Sequence, residues 1–111
     1  MKRLLPLLAL IATPVLAKEP SASAVRSFAF ARIHCAACHG ITPNSSSPNA
    51  EAPVWEDVAN RPGTTRGSLH KFLRDSHNYP EAMQFKVEPR HIHDLAAYLI
   101  TLKRPGYHPG I

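Results

Sequence analysis

The chain has 111 residues, a net charge of +5, two cysteines and one tryptophan. At that size it makes one small domain with a modest apolar core, of a kind that often needs a disulfide, a metal or a cofactor to hold together. No basic run with interleaved aromatics is present, so nucleic acid is not among the expected partners, and the charge leaves only a mild preference for acidic partner surfaces.

Residues 1–17, MKRLLPLLALIATPVLA, read as a signal peptide. Lys2 and Arg3 open it, Leu4 to Leu16 is almost wholly apolar, and Val15, Leu16 and Ala17 offer the small residues of a cleavage site. The apolar run is too short to span a bilayer, which takes about 20 helical residues. Cleavage after Ala17 leaves a single exported domain, 18–111, expected in the periplasm with no stable membrane insertion. Losing Lys2 and Arg3 takes two positive charges from the net balance.

Ser21 or Ser23 caps a first helix expected through AVRSFAFARIHCAACH, with Val25, Phe28, Ala29 and Ile33 at i, i+3, i+4 spacing. Gly40 ends that helix, at a position expected to take a positive φ. ITPNSSSPNAEAP, residues 41–53, is a polar loop wrapped on the domain, and residues 54–58 make a single helical turn before the NRPG break. Thr65 or Ser68 opens a second helix, with Leu69, Phe72 and Leu73 on one face, that closes near Ser76. HNYPEAMQF, residues 77–85, is another loop, with Pro80 preventing continuation of the helix before it. Glu88 at the N-cap and Pro89 at N1 open the last helix, which runs to about Lys103 and ends before Pro105 and Gly106. Ile92, Leu95, Leu99 and Leu102 form its apolar stripe, while Ala96 and Ala97 admit a closely packed neighbour. No strand pattern appears, so the fold class is all-α with three main helices.

Both cysteines lie in Cys35-Ala36-Ala37-Cys38-His39. A thiol–disulfide switch places such a pair at the start of a helix after a strand, where the dipole lowers a thiol pKa; here it comes at the end of a helix with no βαβ pattern. A structural zinc site needs four ligands. His91 and His93 are two residues apart on one helix, so they point in opposing directions and form no joint chelate. A covalently attached haem uses every residue of the motif: each thiol links to the porphyrin and the histidine becomes an axial ligand of the iron. It also supplies the apolar body that a short, loop-rich chain lacks.

With these features the chain resembles the small class I c-type cytochromes of bacteria. The resemblance is carried by Phe28, by Cys35 to Gly40, by Ala52 and Pro53 with Trp55, by Met83 on a loop, and by DLAAYLITL at 94–102. It implies the cytochrome c fold, a helical shell round one haem c, with Phe28 and Tyr98 packing where the first and last helices cross. It places Met83, the lone thioether after the leader, opposite His39 as the second axial ligand. The rivals for that place are His70 and His77. It also implies a proline carbonyl on the far nitrogen of His39, with Pro53 the best match and Pro43 and Pro48 the others. Two departures stand out: Ala-Pro replaces the commoner Gly-Pro, and His91 sits where a capping acid is common, so fraying there would loosen the Met83 loop. The implied activity is single-electron transfer between redox partner proteins, without enzymatic turnover, with Lys86 and Arg32 as candidate partner contacts. The alternatives are a haem subunit of a dehydrogenase or oxidase complex, and a five-coordinate haem that binds gases or acts as a weak peroxidase.

Overall fold

The computed structural model describes residues 1, 9–14 and 19–111, so most of the expected leader 1–17 lies outside the described residues. Five helices follow in order: α1 Ala22–His34, α2 Trp55–Ala59, α3 Arg66–Asp75, α4 Pro80–Met83 and α5 Pro89–Ile100. Among the described residues there is no strand, and the all-α class expected from the sequence is the architecture observed. No helix among the described residues is long and apolar enough to cross a membrane. Helix α5 is the axis of the domain: α1, α2 and α3 all pack against it.

The sequence reasons for α5 and α3 hold. Ile92, Leu95, Leu99 and Leu102 are all buried, at 6 % exposure or less. Past Ile100 the chain tightens into i to i+3 bonds, Leu102 to Leu99 and Lys103 to Ile100, which extends the turn to Lys103. Helix α3 starts in a reciprocal capping box. Ser68 N–H donates to Thr65 Oγ1 at 3.1 Å, and Thr65 N–H donates to Ser68 Oγ at 2.9 Å.

Helix α1 departs from expectation in two ways. It ends at His34, with Cys35 as its C-cap, so the motif is a separate tight turn in which Cys38 and His39 N–H both donate to the Cys35 carbonyl. Two of its large apolar residues also face outward, with Val25 56 % and Ile33 76 % exposed, while Ala24, Ser27 and Ala31 are buried. The distance between packed helices is set by the side chains at their contact. The face of α5 carrying Ala96 and Ala97, both buried, invites a small-residue face in return. Arg26 then reaches across to Asp94, donating from Nε and Nη2 at 3.1 Å each.

The Arg26 hydrogen bonds, and then its charge, hold the Asp94 carboxyl below the usual range despite the opposing effect of burial. A carboxyl depressed on folding stabilises fully above its unfolded pKa of about 3.9, and that stability is lost as pH falls through the lower folded value. Asp94→Asn is therefore expected to cost about 1.5–3 kcal/mol at neutral pH, the range for hydrogen bonds to charged groups. It is also expected to flatten the acid limb of the stability curve. Urea denaturation of the variant at neutral and acid pH checks both.

The loop from 41 to 53 is fastened along its length. Gly40 N–H donates to Ser47 Oγ at 3.0 Å, Asn49 N–H to the Cys38 carbonyl at 3.2 Å, and Tyr98 Oη to the Ile41 carbonyl at 2.6 Å. The expected positive φ is not at Gly40; among the glycines it is found at Gly63 and Gly106. Gly40 is needed for space instead: a Cβ there would come within 2.7 Å of Ser45 Oγ and 2.9 Å of the Ser46 backbone. Gly40→Ala is expected to destabilise by about 1–3 kcal/mol, the cost of overpacking a tight site. Thermal unfolding of the variant checks it.

The C-terminal tail braces α2. Glu56, 4 % exposed, receives the Arg104 guanidinium at 3.0 Å and the Asn44 N–H at 2.5 Å. Tyr107 Oη donates to Asp57 at 2.6 Å, and the Asn60 amide donates to the Leu102 carbonyl at 3.0 Å. Residues 80–83, expected as loop, form the single turn α4. Pro80 starts that turn, since proline at N1 forfeits no helical hydrogen bond.

Candidate functional site

The site grows from the turn that follows α1. Because His39 leaves that turn beside α2, its Nδ1–H meets the Pro53 carbonyl, donating at 2.8 Å. A carbonyl only accepts, so the proton is fixed on Nδ1 and the Nε2 lone pair is left free. The neighbouring Trp55 N–H donates to the Gly40 carbonyl at 2.9 Å, a second rung between the motif and the start of α2. Of the three candidate prolines, the carbonyl that meets His39 is that of Pro53.

An aromatic series backs this turn. The Trp55 ring lies 6.2 Å from His39 and 5.9 Å from Tyr98, and Tyr98 lies 5.9 Å from Phe28. The expected contact between Phe28 and Tyr98 is therefore present. Trp55 is 6 % exposed. Its part in backing His39 was not read from the sequence, where it stood only as a family marker.

Ahead of the turn opens a cavity of about 260 Å³ walled by Trp55, Leu69, Leu73, Leu95 and Leu99. Cys35, His39, Pro53, His77 and Met83 line it as well. The same five line an adjoining opening of about 420 Å³, where Cys38 joins them. The structure thus brings together Cys35, Cys38, His39, Pro53 and Met83, the five site residues expected from the sequence. Of the two rival histidines, His77 stands in the cleft with its ring centroid 5.7 Å from that of His39, while His70 lines neither opening.

Burial pushes the Cys35 thiol up to about 11, with a further contribution from Cys38, so it stays protonated at neutral pH. A disulfide switch works through a thiolate with a lowered pKa, so this thiol has the wrong bias for that chemistry. Cys38 is exposed, and the two are unpaired. Burial, then the neighbouring His39, lowers the His77 pKa. Among the described residues no three His, Cys, Asp or Glu side chains converge as a metal-binding group, so the four ligands of a structural zinc are not assembled.

The donor set is two thiols at the mouth, one imidazole with a free lone pair, one thioether and apolar walls. That combination fits a flat apolar macrocycle bound through its edge by sulfur, with a central iron between nitrogen and sulfur. It offers no charged cluster for a hydrated ion.

Outside the cleft, α1 and α5 bring Phe30 into stacked contact with His91 at 4.1 Å and close to His34 at 4.5 Å, with Phe85 beside His34 at 4.7 Å. This cluster was not expected from the sequence. Lys86 and Arg32 are exposed, as surface contacts must be.

Among curated proteins, the chain is similar to cytochrome c-552 of Bradyrhizobium diazoefficiens, 32 % identical over 69 residues. The match covers 62 % of this chain and 64 % of that protein, so the chain spans somewhat under two thirds of its relative. No protein-family model and no solved structure matches the chain.

Proposed function

We propose that the chain is a mono-haem c-type cytochrome that carries single electrons between redox partner proteins in the periplasm. Cys35 and Cys38 anchor the porphyrin through thioethers, and His39 and Met83 are the axial ligands. The similarity to a protein named cytochrome c-552 supports a c-type cytochrome. The observation that carries the site is the 2.8 Å bond from His39 Nδ1 to the Pro53 carbonyl at the edge of an apolar cleft that also holds Met83. A haem bound there supplies one-electron chemistry.

Each residue has a physical task. The Pro53 carbonyl fixes the tautomer and plane of His39 and makes Nε2 a stronger donor. Met83 offers a thioether, and methionine with histidine raises the reduction potential of a haem site. Leu69, Leu73, Leu95 and Leu99 keep water from the inner face. With a side chain on each side, the site is built to hold its geometry through a change of charge, which suits electron carriage better than turnover of a bound substrate.

Absorption spectra of the oxidised and reduced protein, expressed with haem-attachment machinery, test the reading. The expected result is a low-spin c-type spectrum with a sulfur-to-iron charge-transfer band in the oxidised form, absent in Met83→Ala. A colourless chain would contradict it.

A further inference from the structure

We propose that His77 is a second internal ligand for the position Met83 fills, taking that position whenever the loop carrying Met83 moves away. The inference rests on the reading of the cleft as a haem site. His77 and Met83 both line the two openings that His39 lines. The His39 and His77 ring centroids are 5.7 Å apart, with planes at 71°. Two imidazoles bound at about 2.0 Å on opposite sides of one metal have centroids roughly 6 Å apart. The ring therefore stands close to the required separation. Phe72 stacks on it, 5.6 Å away with planes 13° apart, and limits its rotation.

The two side chains are held by different parts of the chain. His77 follows Ser76, the C-cap of α3, a helix seated on α5 through the buried Leu69 and Leu73. Met83 ends the one-turn α4, which buries none of its residues. Between them the Asn78 amide closes a neck, donating to the Val87 carbonyl at 3.2 Å and accepting the Val87 N–H at 3.1 Å. His77 lies just outside that neck and Met83 inside the loop it closes. Segments with few buried contacts open at low cost, so the loop can swing with its neck intact and leave His77 in place. The consequence is a sixth position that stays closed to small molecules when Met83 leaves it, with a lower reduction potential while imidazole replaces thioether.

The test compares the haem-loaded Met83→Ala protein with Met83→Ala/His77→Phe, in which the aromatic replacement keeps the stacking on Phe72. Met83→Ala is expected to stay six-coordinate and low-spin, with a potential below that of the unaltered protein. The double variant is expected to be high-spin. Carbon monoxide should bind reduced Met83→Ala about tenfold or more weakly than the double variant, because His77 must first leave the position. A Met83→Ala protein that is already high-spin, with carbon monoxide affinity equal to that of the double variant, overturns the proposal and leaves the haem reading intact. Failure of every form, the unaltered chain included, to carry covalent haem overturns both. Warming the oxidised unaltered protein gives a second readout should Met83→Ala fold poorly. Loss of the thioether band with retained low spin supports the proposal if His77→Phe turns high-spin at that temperature, and overturns it if His77→Phe stays low-spin.

Discussion

Cys35→Ala/Cys38→Ala, expressed with haem-attachment machinery, is expected to carry no covalent haem and to lose cooperative unfolding. The two thiols sit at the mouth of the cleft, and the leucines of α3 and α5 form its inner wall. Without an occupant those walls face a void of about 260 Å³. The chain has no disulfide in reserve. A small domain of this kind gains a large part of its folding free energy from the group it holds, as small metal-dependent domains do. Removing the anchor is expected to take most of the roughly 5–15 kcal/mol typical of small proteins. Circular dichroism on heating checks it: a broad, non-cooperative loss of helix is expected, and a sharp transition near that of the unaltered protein would count against it.

The second large effect is expected at Trp55. Its ring is 6 % exposed and stands between Tyr98 and His39. Truncation of a buried tryptophan costs about 3–5 kcal/mol, from lost burial and the cavity left behind. Because the Trp55 ring backs His39, Trp55→Ala is expected to loosen that histidine as well. Weakening of the low-spin spectrum should accompany the stability loss, and Trp55→Phe should restore most of both. Urea denaturation of the haem-loaded variants reads the first effect and absorption spectra the second. A loss below about 1 kcal/mol for Trp55→Ala would mean the ring is no part of the core.

What the sequence made legible follows from where each signal lies. Helix α5 declares itself, because Ile92, Leu95, Leu99 and Leu102 repeat at helical spacing behind Pro89. Helix α3 does so through Thr65 and Ser68. The buried face of α1 was missed because periodicity favours large apolar residues. The face that meets α5 had to be small, which sent Val25 and Ile33 outward and put Ala24, Ser27 and Ala31 inside. Pro80 was read only as a stop to the helix before it, although at N1 it also begins the next turn. Gly40 was read as a conformational need when the need is room beside Ser45 and Ser46.

The site divides in the same way. Cys35, Cys38 and His39 are legible because their spacing is local. The partner of His39 is not, since every proline carries the same carbonyl; only the fold chooses Pro53 over Pro43 and Pro48. Likewise, His77 could be told from His70 only once α3 was set beside the motif turn.

The most direct measurement is the intact mass of the denatured protein from a host with haem-attachment machinery, taken with a titration of its thiols. The expected mass is that of residues 18–111 plus one haem, with no thiol open to alkylation. A bare chain with two alkylatable thiols would contradict the assignment of Cys35 and Cys38.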